Sequence, residues 1–338
     1  MSISIQWLVT FLFLLVLLCG IRASESGEAR IELPFTFSNE TQQPHANPET
    51  IRICTWNLEW FPAGQRQSQD QQTRWQVAAT VSILEEIKPD ILVTQETRNL
   101  SSLRLLNRNL NPPGFSHMAS TLYYKENIEA NLGNHVRQEN GLMSRYPWNE
   151  IFEIDFGGMK GKSRPTRGWL YARFDIGSYV IHLYNGHLKS NFGADKEEDR
   201  LLNISKRSAA IKQLQLDLNR RKLDPYRDRI VVAGDMNSDF FSAQFSDEQL
   251  FSELERMGFR HTFLMVPAEQ RITVPSREGE PWPDSVFDYI FISSGCKAGD
   301  LSAQVLQKGA SKRKDVFGGD EPGLASDHYP VFIDLPLK

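Results

Sequence analysis

Cysteine is scarce: the 338 residues contain three, Cys19, Cys54 and Cys296. Cys19 lies in a segment expected to be removed, so at most one disulfide is left and a disulfide-stapled scaffold is excluded. Cys54 sits inside one apolar run and Cys296 follows another, which favours two buried free thiols over a bridge between them, neither with a catalytic role. Basic residues are not in excess either. Lys and Arg together number 38 against 42 Asp and Glu, a formal charge of -4, which excludes a globally basic nucleic-acid binder but allows local patches. No internal repeat of fixed period and no Pro/Ser-rich break occurs between residues 50 and 338, so solenoids and tandem domains are excluded and one domain is expected there. What remains is ordinary globular composition, 40% hydrophobic and 24% charged, in a chain long enough to bury a sizeable core.

Long hydrophobic runs are also rare, and the exception is amino-terminal. Trp7 to Leu18 is uncharged and apolar and is followed by Gly20 and Ala23, a small residue suited to the position before a cleavage point. Residues 1–23 therefore read as a signal peptide and the mature chain as starting near Ser24, secreted or periplasmic and without stable membrane insertion. No Lys or Arg precedes the run, and from Ile3 to Ile21 it can also span a bilayer as an uncleaved anchor, the minority reading. Bulky Leu18 before Cys19 argues against a lipid anchor. Residues 24–49 lack an apolar period and are rich in turn formers, so an exposed linker is expected. Asn39, Asn99 and Asn203 open glycosylation acceptor triplets.

From residue 50 the pattern alternates. Strand-length apolar runs occur at Ile51–Trp56, Ile91–Val93, Tyr179–Tyr184, Ile230–Ala233, Val286–Ile292 and Tyr329–Leu335. Between them, Val77, Val81 and Leu84 and then Ile211, Leu214 and Leu218 follow helical spacing, the first set closed by Lys88-Pro89. A mixed α/β fold follows. Four runs end in polar groups: Asn57, Gln95-Glu96, Asn185-Gly186-His187 and Gly234-Asp235-Met236-Asn237. Ligands of α/β sheets bind beyond the carboxyl ends of strands, so these ends define one edge. Asp288 opens the fifth run and Asp327-His328 precedes the sixth; antiparallel strands bring their starts to the same edge.

Each residue also has an unremarkable reading. Gly-Asp-Met-Asn is a plain turn sequence, Glu96 can be a cap or a loop residue, and His187 can be a packed histidine. Against this, Asp235 and Asn237 stand two apart and share a face in extended chain. Glu96 is a hard oxygen donor, as Mg²⁺ requires. Asp327 adjoins His328 and Asp288 can orient its ring, the arrangement a general base needs.

Taken in order, Thr55-Trp56-Asn57, Gln95-Glu96-Thr97, Gly186-His187-Leu188-Lys189-Ser190, Gly234-Asp235-Met236-Asn237, Phe287-Asp288-Tyr289-Ile290 and Ser326-Asp327-His328-Tyr329-Pro330 resemble the endonuclease/exonuclease/phosphatase superfamily over residues 50 to 338. Asn140 to Pro147 is similar to the superfamily's central strand, ending Ser-Arg-x-Pro. The resemblance implies a four-layer α/β sandwich of two mixed β-sheets flanked by helices, and metal-dependent hydrolysis of phosphoric esters. It implies that Glu96, assisted by Asn57, holds the metal and that Asp327 completes its shell. Asp235 and Asn237 then position the attacking water and the phosphoryl group, while Asp288 holds His328 against the water or the leaving group. His187 stands where deoxyribonuclease-like members carry a second histidine, and Glu139 is similar in place to the acid supporting it.

The substrate needs a separate argument. Lys160, Lys162, Arg164 and Arg167 fall within Met159 to Gly168 without one acid, a stretch suited to backbone phosphates or, more plainly, a solvated loop. The basic residues after Ser205, Arg207 among them, are diluted by acids and read as a soluble helix face. No run of aromatics reads as a membrane-inserting hairpin. Together with the export signal, the motif His187-Leu188-Lys189-Ser190 resembles that of secreted bacterial nucleases. The expectation is a secreted monomer that hydrolyses DNA or RNA with Mg²⁺ or Mn²⁺, Ca²⁺ being a further option. The alternatives are a phosphatase or sphingomyelinase-like phosphodiesterase and an inactive binding module.

Overall fold

A computed structural model describes residues 30–32, 35–37, 48–62, 70–111, 114–121, 138–154, 156, 161–165, 167–191 and 196–338. The expected signal peptide, Asn39 and Lys160 lie outside the described residues. No helix among the described residues is long and apolar enough to cross a membrane.

Two mixed sheets of seven strands pack face to face, with strands numbered along the chain. One runs β13 (Gln304–Val305), β14 (Val331–Pro336), β3 (Thr50–Phe61), β4 (Ile91–Thr97), β6 (Glu139–Ser144), β5 (His117–Ser120), β2 (Phe35–Phe37). The other runs β1 (Arg30–Glu32), β7 (Glu150–Ile154), β8 (Trp169–Ile176), β9 (Tyr179–His187), β10 (Arg229–Asp235), β12 (Asp288–Ser293), β11 (Phe259–His261). Helices α1 (Asp70–Ile87) and α2 (Leu100–Asn109) cover the first sheet, and α3 (Glu197–Arg221) and α4 (Leu250–Arg256) the second. This is the four-layer sandwich expected from the motifs.

Alternation along β3 builds two layers of core at once. Ile51 and Ile53 join Val93, Leu183 and Val231 in the larger apolar cluster, whereas Cys54, Trp56 and Leu58 join Val77, Ile83 and Leu84 of α1 in the smaller. The period of two sends successive side chains to opposite faces, so one strand serves both. Both cysteines are buried and free, as expected. Helix α1 ends where Pro89 cannot continue it, and α2 begins at Asn99, whose side chain accepts the Ser102 N–H at 3.1 Å.

One expectation is corrected. The 24–49 segment is not all linker: β1 pairs antiparallel with β7 and β2 with β5, three-residue edge strands too short to show a period in sequence. Two glycosylation acceptors are otherwise engaged, Asn99 as a helix cap and Asn203 by burial on α3.

The register places the chemistry. β9 and β10 are parallel with His187 opposite Asp235, and β10 and β12 are antiparallel with Asp235 opposite Asp288, so three site residues share one rung. Just below, Gly234 lies opposite Gly186 at φ 141°, and a Cβ on Gly234 would stand 1.9 Å from the Gly186 carbonyl oxygen. Only glycine permits that backbone and that approach.

Candidate active site

Asn57, Glu96, His187, Asp235, Asn237, Asp288 and His328 gather at this edge. Asn57 Nδ2 donates to Glu96 Oε1 at 3.2 Å and to Asp235 Oδ2 at 3.0 Å, while its Oδ1 accepts the Glu59 N–H at 3.0 Å. The Asn57 amide thus orients two carboxylates rather than offering a spare oxygen. The Asn237 N–H donates to Asp235 Oδ1 at 2.9 Å, closing a turn in which Asn237 takes a φ of 52°. Glu96 is left-handed too, at φ 58°, where β4 shifts register against β6. Left-handed non-glycine residues store strain of about 1–3 kcal/mol and cluster at functional sites.

His328 Nδ1 donates to Asp288 Oδ2 at 2.7 Å, and its Nε2 stands 3.8 Å from Asp327 Oδ1. From the opposite side His187 Nε2 approaches Asp235 Oδ2 at 3.5 Å and Glu96 Oε1 at 3.7 Å. Asp235, Asp288 and His328 therefore offer ligand atoms all within 4.8 Å of one another. The His328–Asp288 hydrogen bond and the pairing of Asp235 with Asp288 across β10 and β12 account for this closeness, and His328 Nδ1 is committed to Asp288. Glu139 does not carry His187 in this structure. It is buried and accepts from the Ser120 hydroxyl, while His187 Nδ1 has no hydrogen-bond partner among the described residues.

Beneath the site a polar bridge joins the sheets. Gln95 Nε2 donates to Asn185 Oδ1 at 2.7 Å, and Asn185 Nδ2 donates to the carbonyls of Thr94 and Gly141 at 3.0 Å each, all between fully or nearly fully buried groups. Gln95 precedes Glu96, and Asn185 stands two before His187, so the bridge ties the strand of Glu96 to the strand of His187.

Burial and charge set the ionisation. Burial, then the Asp288 charge, pushes the Asp235 carboxyl up to about 7. Burial opposes the His328 imidazolium, but Asp288, Asp327 and Asp235 outweigh it and hold His328 well above its ordinary range. Burial, then the charges of Arg167, His328 and Lys189, keep His187 well below its ordinary range and so neutral at pH 7. Burial and the Asp327 charge raise Glu96. The two imidazoles beside Asp235 are thus shifted in opposite directions, His187 by burial and neighbouring cations and His328 by neighbouring carboxylates.

Sequence reading missed Glu59 and Arg277. Glu59 is 1% exposed, accepts the Gly318 N–H at 2.7 Å, and keeps Oε1 without a hydrogen bond. Its carboxyl is raised by burial and by Asp327 and Glu96. Arg277 Nη2 lies 3.3 Å from Asp327 and 3.9 Å from Glu59. The one available sequence signal was Glu59's place two residues past Asn57. Glu59, Glu96 and half-buried Asp327 lie close enough for their charges to act on one another, and carboxylate oxygens are the donors that a hard divalent cation takes.

Of the basic stretch, Arg167 reaches the site: Nη1 donates to the His187 carbonyl at 3.5 Å and Nη2 to Gln138. Lys162 is exposed and Arg164 half-buried in the adjoining turn, whose Ser163 hydroxyl meets Ser205 of α3 at 3.2 Å. Arg207, expected on a soluble helix face, is 1% exposed and paired with buried Glu248.

The fold recurs among solved structures. Sphingomyelinase C from Streptomyces griseocarneus superposes with a TM-score of 0.59 at 16% identity, covering 84% of this chain and 99% of that one. An endonuclease/exonuclease/phosphatase protein from Beutenbergia cavernae gives 0.57 at 19% identity over 86% of this chain and 72% of that one. TDP2 of D. rerio, complexed with single strand DNA product, gives 0.54 at 17% identity over 85% and 99%. No curated protein matches in sequence. The sequence pattern of a family of metal-dependent phosphoric ester hydrolases matches residues 54–328, a span that begins at β3 and ends on His328. With the motif residues gathered at one edge of its sandwich, the chain belongs to the Endonuclease/Exonuclease/phosphatase family.

Proposed function

We propose that the chain is an exported, divalent-metal-dependent nuclease that hydrolyses phosphodiester bonds of DNA or RNA. The observation that carries this reading is the shared rung of His187, Asp235 and Asp288, with His328 bonded to Asp288: two imidazoles face one carboxylate from opposite sides. Glu96, backed by Asn57, and Asp327 would hold Mg²⁺ or Mn²⁺. When bound, such an ion neutralises phosphoryl charge and polarises the scissile group. Asp235, fixed by the amides of Asn57 and Asn237, orients the water and takes its proton; His328, held charged by Asp288, stabilises the developing negative charge. Neutral His187 donates a hydrogen bond to the phosphoryl oxygens without repelling Arg167.

Nucleic acid is favoured because Arg167 borders the site from the His187 side, where a backbone phosphate gains from a cation. The D. rerio neighbour holds a single strand DNA product in the same fold. Export rests on the apolar run Trp7–Leu18 and small Ala23, with the amino terminus near Ser24. A second reading, a lipid-headgroup phosphodiesterase, draws on exposed Phe240, Leu264, Met265 and Trp282 in loops following β10 and β11 and preceding β12. One panel separates the readings: plasmid DNA, RNA, sphingomyelin and inositol phosphates, with and without Mg²⁺. Metal-dependent loss of DNA or RNA alone is expected. Hydrolysis of sphingomyelin with nucleic acid untouched overturns the nuclease.

A further inference from the structure

A cationic ridge leaves the site beside His187, and hydrolysis itself makes no use of most of it. Lys189 stands two residues beyond His187 in a segment stitched to the catalytic turn. The Leu188 N–H donates to the Asp235 carbonyl at 2.9 Å, Asn237 Nδ2 donates to the Leu188 carbonyl at 3.2 Å, and Asn191 Nδ2 donates to the Asn237 carbonyl at 3.0 Å. Wherever the phosphoryl group sits against Asp235 and Asn237, Lys189 is carried along at a fixed offset.

A second element fixes the same segment from outside. Arg207 of α3 donates Nη1 to the Lys189 carbonyl at 2.7 Å, and Glu248 holds the rest of its guanidinium, with Nε to Oε2 at 2.8 Å. Glu248 pairs with Arg207, and this arginine positions the Lys189 backbone. The Lys189 ammonium is steadied by the carbonyl and hydroxyl of Ser190 at 2.9 and 3.1 Å. Arg167, Lys206 and Arg207 all lie close enough for their charges to act on it, and Lys206 is itself half-buried on α3. Like charges partly withdrawn from water repel one another more strongly than exposed ones, and a polyanion laid across them offsets that repulsion.

We propose that Lys189, with Lys206 behind it, receives a phosphate other than the one hydrolysed, so the substrate carries at least two phosphates on one backbone. This rests on the nuclease reading and narrows it: a nucleotide strand fits the ridge, whereas a single-phosphate headgroup cannot reach both places.

The test compares two substrates in Mg²⁺ with the full chain and its Lys189→Ala, Lys189→Arg and Lys206→Ala variants. Bis(p-nitrophenyl) phosphate carries one phosphodiester; an octathymidylate carries seven on a strand. Lys189→Ala is expected to lower kcat/KM for the octanucleotide at least tenfold more than for the single diester, chiefly through KM. Lys206→Ala should do so about threefold, and Lys189→Arg should restore most of the loss. Each removed contact should also flatten the salt dependence of oligonucleotide KM by about 0.7 log units per log unit of salt, the single-strand value. Equal losses on both substrates, or an unchanged octanucleotide KM, overturn the subsite while leaving the nuclease standing. A wild type that turns over bis(p-nitrophenyl) phosphate but no oligonucleotide overturns both.

Discussion

His328 and Asp288 meet across the two sheets: Asp288 opens β12 in one, His328 precedes β14 in the other, and Nδ1 reaches Oδ2 at 2.7 Å. Asp288 has no exposure and His328 has 8%, so the bond is kept from water's competition. It fixes both the tilt of the imidazole and the nitrogen left facing the site. A catalytic group is thereby held by the packing of one layer on the other.

Replacing His328 with Ala should lower kcat by about 10² or more, the usual contribution of a positioned acid or base. Asp288→Asn should cost less, because an amide still offers the ring an acceptor. Steady-state kinetics on a variant whose circular dichroism matches wild type decides this. A folded His328→Ala protein with wild-type turnover removes the assigned role.

Asp235 makes stability depend on pH. Its carboxyl is raised to about 7 in the fold from 3.8. Between these values the native state keeps a proton that the unfolded chain has lost, so the contribution present below 3.8 falls away as pH rises through about 7. In chelated protein, the unfolding midpoint of wild type relative to Asp235→Asn should therefore rise as pH is lowered from 8 to 5. A pH-independent difference rules this out.

Metal binding should be readable without turnover. A ligand that binds only the folded state stabilises it by about 2.7 kcal/mol at a hundredfold excess over Kd. Adding Mg²⁺ to chelated wild type should raise the melting temperature, and Glu96→Gln should lose most of that response. Chelation should abolish hydrolysis, with Mg²⁺ or Mn²⁺ restoring it. Full turnover after chelation would deprive Glu96 of its role.

The Arg207–Glu248 pair is buried at 1% and 3% side-chain exposure. Removing one partner of such a pair strands a charge and costs about 3–5 kcal/mol, whereas replacing both by apolar groups is often neutral. Arg207→Ala should destabilise by that amount in urea unfolding, and Arg207→Met with Glu248→Leu should recover much of it. Because Arg207 also holds the Lys189 carbonyl, the double variant should regain stability without regaining oligonucleotide affinity.

Strand termini carried most of what could be read in advance. Asn57, Glu96, His187 and Asp235 end apolar runs, and that pattern alone forecasts a shared edge. The six runs chosen as strands all lie in strands or reach into them, but β1, β2, β5, β7, β8, β11 and β13 went unseen. β8 carries Arg173 in mid-run, and β7 and β11 are only five and three residues long. Arg207 was misjudged because a charge inside a charged helix carries no mark of burial until Glu248, 41 residues later, is known to face it. Arg277 sits in a loop between β11 and β12 that has no periodicity to anchor a prediction. Glu139 was placed correctly in the strand order, yet its side chain turns to Ser120, a choice of partner that spacing does not encode.

The bridge between Gln95 and Asn185 has a consequence for how the molecule fails. Both amides are wholly buried, and breaking their bond leaves polar atoms stranded between the sheets at about 1–3 kcal/mol each. Glu96 and His187 consequently have no hinge of their own. Slow heating should extinguish hydrolysis and near-ultraviolet dichroism together, in one transition, with no interval in which a folded protein has lost its catalytic geometry.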